Sequence, residues 1–195
     1  MRDIIIDKLN KSFDGKKVLS DFSTVLKYGE VNCIMGQSGC GKTTLLNIIM
    51  GIDSSFSGSI SEIPRRIACV FQEDRLCEDF SALTNLRIVA ANHAIKDDDI
   101  RNKCIKVLSE LGLSKCMMQA VKTLSGGEKR RVAIGRALVF DSELIILDEA
   151  FKGLDSKTKL SIMQYVKQSC EGKTVIVVTH YIEEAEFFGG TIINM

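Results

Sequence analysis

The sequence predicts an α/β fold with a mainly parallel central sheet, an N-terminal antiparallel β layer and an inserted α-helical subdomain. Three observations predict it. Short, mostly apolar runs at Val31 to Met35, Ile67 to Phe71, Leu144 to Leu147 and Thr174 to Val178 have strand length. Such runs suit strands buried on both faces of a parallel sheet. The N-terminal quarter instead carries the Asp14-Gly15 pair between two strand-like segments, a strong tight-turn signal. From Leu83 to about Lys122 the pattern turns helical and no strand signal interrupts it.

Size and composition fit one domain with a subdomain. The chain has 195 residues and is 45% hydrophobic, ordinary for a globular protein. Lys and Arg number 26 against 25 acids, for a formal charge of +1, which speaks against a surface that coats nucleic acid. Seven cysteines occur, an odd number, and none forms a Cys-x-x-Cys pair. That favours reduced thiols over a disulfide framework or zinc site. Met1-Arg2-Asp3-Ile4 lacks a signal-peptide pattern. No apolar run approaches the roughly 18 residues a membrane span needs, so any membrane role would run through a partner.

In chain order, Ile4 to Phe13 and Lys16 to Leu19 read as a hairpin, and Phe22 to Leu26 as a third strand. Phe13, at the hairpin's end, could stack on a nucleobase or fill the core. Tyr28-Gly29-Glu30 turns into the Val31 strand. Gly36-Gln37-Ser38-Gly39-Cys40-Gly41-Lys42-Thr43-Thr44 follows. It fits Gly-x-x-x-x-Gly-Lys-Thr, a phosphate-binding loop, and lies between a strand and a helix carrying Leu45, Leu46, Ile48 and Ile49. Glycines 36, 39 and 41 let backbone N–H groups turn inward around a phosphate. The helix start adds unpaired N–H groups and the positive end of its dipole. Lys42 supplies a full charge for the β- and γ-phosphates, and the Thr43 hydroxyl can ligate Mg²⁺.

Ser54 to Ser61 reads as a loop with a short strand. The Ile67 strand runs into Gln72-Glu73-Asp74-Arg75, where the Gln72 amide could reach Mg²⁺ or its water, or simply be solvated. Ile100, Cys104, Val107, Leu108 and Leu111 share one helical face, Asp97-Asp98-Asp99 should cap that helix, and Gly112 should end it. Residues 73–122 are thus a helical subdomain inserted between core segments at about 1–72 and 123–195.

Leu124-Ser125-Gly126-Gly127-Glu128 opens another helix, a second anion-binding turn at Ser125, Gly126 and Gly127. If the helical insertion holds it apart from the first loop, the two cannot share a phosphate within one chain, which invites a partner chain. Lys129-Arg130-Arg131 reads as a solvated helix face. Leu144 to Leu147 runs into Asp148-Glu149, two carboxylates at the strand edge where such sheets bind ligands. Asp148 is placed to hold Mg²⁺ through water, and Glu149 to orient or deprotonate an attacking water. Gly153-Leu154-Asp155 begins a helix over Ser156 to Ser169. Thr174 to Val178 ends in Thr179-His180, where the imidazole could contact a γ-phosphate. Thr191 to Asn194 reads as an edge strand.

This set of motifs, in this order, resembles the ATP-binding subunit of ATP-binding cassette (ABC) transporters over nearly the whole chain. The resemblance implies a P-loop NTPase core, ATP and Mg²⁺ as ligands, and ATPase activity. Residues 36–43 correspond to the Walker A motif, Phe71-Gln72 to the Q-loop, 124–128 to the signature and Leu144 to Glu149 to Walker B. Leu154-Asp155 corresponds to the D-loop, His180 to the switch histidine, and Phe13 to the adenine-stacking aromatic. Val70 to Leu76 is similar to nitrate, sulfonate and taurine importer subunits. Ala150, Gly135, Glu128 and Arg130 depart from residues frequent in the family. The resemblance further implies a head-to-tail homodimer around two ATP molecules, transmembrane permease subunits, a solute-binding protein and a peripheral place on the cytoplasmic face of the membrane. Nucleic acid is not expected as a partner, nor a C-terminal regulatory domain. The rival reading is a soluble ABC ATPase of the iron–sulfur assembly type.

Overall fold

A computed structural model describes residues 2–91 and 96–195. Met1 of the N-terminal tetrapeptide and residues 92–95 of the helical stretch lie outside the described residues. The chain divides into two compact units: Met1–Ile67, Glu143–Glu149 and Gly172–Met195 form one, Ala68–Ser142 and Ala150–Glu171 the other.

In the first unit, β1 (Ile4–Phe13), β2 (Lys16–Leu26) and β4 (Ser57–Ser61) form an antiparallel sheet in the order β2-β1-β4. The expected third strand at Phe22 to Leu26 is not separate; β2 runs unbroken from Lys16. The reason is the register, which shifts three times along the β1–β2 pair. At two of the irregular positions, Lys8 and Asp21, φ is 46°. Bulges of this kind break the hydrophobic alternation without ending the strand, so the pattern reads as two segments.

The parallel strands are β3 (Val31–Met35), β5 (Ile67–Val70), β6 (Leu144–Asp148), β7 (Thr174–Thr179) and β8 (Thr191–Asn194), in the sheet order β5-β6-β7-β3-β8. Every residue of β6 and β7 is buried, which their unbroken apolar runs anticipate. Helix α1 (Lys42–Ile49) buries Leu45, Leu46, Ile48 and Ile49. Helix α6 (Ile182–Phe188) buries Ala185 and Phe188. The β3–β7 register aligns Met35 with Thr179, and the β6–β7 register aligns Asp148 with Val178. The C-terminal ends of three adjacent strands therefore share one edge.

The second unit is mainly helical: α2 (Ala82–Ala90), α3 (Asp97–Glu110), a 3-10 turn (Val121–Thr123), α4 (Gly126–Val139) and α5 (Ser156–Ser169). Ile100, Cys104, Val107, Leu108 and Leu111 are all buried, as one apolar face requires. Gly112 has φ 69° and ends α3, with the Leu113 N–H donating back to the Leu108 carbonyl at 2.8 Å. At Gly135 helix α4 packs closely on its neighbours. A Cβ there would lie 3.0 Å from Leu111 Cδ1 and 3.3 Å from Leu86 Cδ2. The three aspartates behave differently from expectation. They occupy the first turn of α3, but no side chain caps it. Asp97 instead accepts from Arg87 Nη2 at 2.7 and 2.8 Å, an ion pair that competes for the carboxylate.

All seven cysteines are free. Burial pushes the Cys33 thiol up to about 11, so it packs as a small neutral group. Among the described residues, no helix is long and apolar enough to cross a membrane.

Candidate functional site

The first unit folds a glycine-rich loop at the end of β3. The chain leaves the strand at Gly36 and enters α1 through Gly41, which has φ 105°. A Cβ at Gly41 would lie 3.0 Å from the Val18 carbonyl oxygen, and one at Gly36 would lie 2.7 Å from Cys40 Sγ. Both positions therefore need glycine, for conformation and for space respectively. No side chain caps α1, which leaves its dipole end to the loop. Lys42 is buried, and its ammonium donates to the Gly36 and Gln37 carbonyls at 2.7 and 2.8 Å. Those bonds hold a full positive charge at the loop's centre. Gln37, Ser38, Gly39 and Thr43 are exposed, Cys40 and Thr44 partly so.

Acid and imidazole groups gather on the same edge of the sheet. Asp148 is buried at the end of β6. Glu149 follows with φ 47°, while its N–H still donates to the Val178 carbonyl at 2.9 Å. Left-handed backbone is costly for a non-glycine residue, and here the ladder bond secures it. His180 Nδ1 lies 3.5 Å from Glu149 Oε1, too long for a strong hydrogen bond but close enough for both to address one water. The turn carrying His180 is fixed from beneath. The Thr179 hydroxyl donates to Glu184 at 2.7 Å and accepts from the Tyr181 N–H at 3.1 Å. The His180 and Tyr181 rings lie 3.9 Å apart. Nothing in the sequence distinguishes Glu184 from a solvent-facing helix acid.

Phe13 is 48% exposed at the end of the β1–β2 hairpin, so the core-filling alternative does not hold. Lys11 Nζ sits over its ring, 4.7 Å from the centroid.

The second unit holds Gln72, the Ser125 turn and Asp155. Ser125 caps α4 in a reciprocal box: its hydroxyl accepts from the Glu128 N–H at 3.3 Å. Its own N–H and hydroxyl donate to Glu128 Oε2 at 2.8 and 2.7 Å. Those bonds to Ser125 pull the Glu128 carboxyl below its ordinary value. Around Gly126 the space is open. A Cβ on Gly127 would lie 3.9 Å from the Gly153 carbonyl oxygen and from Leu154 Cδ2, so the 153–155 segment runs beside the turn. Asp155 caps α5 by accepting from the Thr158 N–H at 3.0 Å, and hydrogen bonds from the Thr158 side chain and then its backbone hold the Asp155 carboxyl below its ordinary value.

The basic run is not a solvated face. Arg130 is buried and its Nη1 donates to the Phe71 carbonyl at 2.6 Å and to Asp74 at 3.0 Å. Its Nη2 donates to the Gln72 carbonyl at 3.2 Å. Arg131 donates to the Leu111 carbonyl at 2.9 Å, and Lys129 to Glu78 at 3.3 Å. Arg136 adds bonds to the Arg75 and Asp74 carbonyls. The Gln72 segment is thereby strapped to the helix that begins at Ser125. Charge clusters read as solvated by default, and only the fold reveals the acids and carbonyls opposite.

Comparison with known proteins decides the family. The sequence pattern described as ABC transporter matches residues 19–152. The chain belongs to the ABC transporter family. It is 35% identical over 197 residues to the aliphatic sulfonates import ATP-binding protein SsuB 2 of Pseudomonas syringae pv. tomato, covering 99% of this chain and 81% of that one. It is 36% identical over 194 residues to the protein of the same name from Agrobacterium fabrum, covering 95% and 73%. The dimeric structure of MJ0796, a bacterial ABC transporter cassette, superposes with a TM-score of 0.88 at 32% identity, covering 98% of this chain and 94% of that one. The same cassette in a post-hydrolysis state bound to ADP and Pi superposes equally well. The chain is thus an ABC-type ATPase subunit, with ATP as its nucleotide.

Proposed function

We propose that this chain powers solute import by closing, as a head-to-tail homodimer, around two ATP molecules on the cytoplasmic face of a membrane. In this reading the loop 36–44 grips the triphosphate and Lys42 neutralises charge on the β- and γ-phosphates. Ser125, Gly126 and Gly127 of one copy complete the site of the other, and Asp155 lies beside that seam. Phosphoryl transfer depends mainly on positioning and charge stabilisation, which suits groups held this firmly. Thr43 and Asp148 offer hydroxyl and carboxylate oxygens, the donors a hard cation prefers, so both fit Mg²⁺. The metal would neutralise charge on the phosphates. Glu149 takes the proton of the attacking water and His180 orients it. Gln72 and the helical segment 73–122 pass the motion to permease subunits, with a solute-binding protein delivering cargo.

The observation that carries this reading is the shared edge of Lys42, Asp148, Glu149 and His180 in the first unit. Likeness to sulfonate importers favours transport over the soluble iron–sulfur alternative. The test is Glu149→Gln. Loss of a general base lowers turnover by roughly 10²- to 10⁴-fold, so the variant should accumulate as an ATP-bound dimer in light scattering. A strictly monomeric variant with ATP and magnesium refutes the dimer. Unchanged phosphate release removes Glu149 from the base role.

A further inference from the structure

Lys11 is a buried charge of the first unit. Its side chain is only 6% exposed, although lysine is almost never buried without a partner. The ammonium donates to Asp53 Oδ1 at 2.8 Å and to the Ser55 carbonyl at 2.6 Å. Asp53 also accepts from the Ser55 N–H at 2.9 Å, so the 53–55 turn closes around the cation. Those bonds to Lys11 and Ser55 hold the Asp53 carboxyl below the usual carboxylate range. An ammonium has three donors. With Asp53 and Ser55 served, the Phe13 ring meets the same nitrogen at 4.7 Å.

We propose that the Lys11–Asp53 pair positions and polarises Phe13 as the platform for the nucleotide base, making Lys11 a determinant of base affinity. This rests on the reading of Phe13 as the adenine-stacking residue. A cation over one face of an aromatic ring is bound by the ring quadrupole. It fixes a side chain that otherwise projects from a hairpin end, and it draws π density toward itself. The opposite face is then a better partner for an electron-rich purine. Ordering the ring beforehand also removes part of the entropy cost of stacking. A lysine that only tied the 53–55 turn to β1 would need no ring beside it.

The experiment compares affinity for ATP with affinity for inorganic tripolyphosphate, which has no base. Both are measured by displacement of a fluorescent ATP analogue. Lys11→Met/Asp53→Asn removes the buried pair together, so no charge is stranded. Lys11→Gln is a second variant that keeps a polar end for Asp53 and Ser55. Each should weaken ATP roughly three- to tenfold and leave tripolyphosphate unchanged. Lys11→Arg, which keeps a cation over the ring, should restore the ratio. In a Phe13→Ala background the Lys11 changes should have no further effect on it. Equal losses for both ligands would show a merely structural pair and overturn the proposal. So would an unchanged ratio in the Lys11 variants while Phe13→Ala lowers it. If Phe13→Ala itself leaves the ratio unchanged, the base platform fails, and the role of Lys11 with it.

Discussion

Replacing Arg130 by Met tests the strap between α4 and the Gln72 segment. The wild-type guanidinium donates to the carbonyls of Phe71 and Gln72 at 2.6 and 3.2 Å, and to Asp74 at 3.0 Å. Arg130 is 6% exposed at its side chain, Asp74 28%. A hydrogen bond to a charged group contributes about 1.5–3 kcal/mol net, and these three share one donor group, so they do not add. Breaking a fully buried pair costs about 3–5 kcal/mol. Because Asp74 is partly wetted, about 3 kcal/mol is the expectation. At roughly 2–4 °C per kcal/mol for a chain of this size, the melting point falls by about 6–12 °C. Asp74→Asn keeps an acceptor oxygen and should cost only about 1 kcal/mol. With no tryptophan in the chain, unfolding is followed by circular dichroism in urea. Amide exchange across 72–78 should quicken in Arg130→Met. A loss below about 1 kcal/mol, with exchange unchanged, would refute the strap.

Lys42→Ala should lower ATP affinity about ten- to a hundredfold, the span of one or two lost charge-assisted contacts; wild-type affinity in a titration would remove Lys42 from phosphate binding. Glu128→Gln probes the capping box by pH. The folded carboxyl titrates below its ordinary value of 4.5, chiefly through its bonds to Ser125. Its contribution is therefore complete above that value and fades as pH falls through the folded one. Wild-type stability should drop relative to Glu128→Gln only in that acid window, and parallel pH–stability curves would contradict the assignment.

The elements were legible where one physical cause dominates. The strand runs at 144–148 and 174–179 are apolar because both faces are covered, and nothing local competes. The glycines at 36 and 41 are legible for the same reason, since space and φ leave one choice. The long β2 was not legible, because bulges near Lys8 and Asp21 break the period without breaking the strand. The expectation that Asp97-Asp98-Asp99 cap α3 rests on helix-end chemistry alone. Arg87 then claimed the first carboxylate, a competition set by tertiary neighbours.

The site divides along the same line. The groups proposed to touch phosphate are carried by short motifs, because close approach to an anion fixes residue type and spacing together. Groups that hold those residues in place are scattered. Lys11 meets Asp53 across 42 positions, Arg130 meets Asp74 across 56, and Thr179 meets Glu184 through one turn. Any of these charges alone is indistinguishable in sequence from a solvated one. Their burial has an energetic consequence, since a buried charge without its partner costs several kcal/mol. The members of each pair are therefore energetically coupled. An uncharged amide at position 130 would take from Asp74 the cation that meets it at 3.0 Å. Arg130 and its acid therefore act as one unit, so Arg130→Gln should be tolerated better with Asp74→Asn than alone.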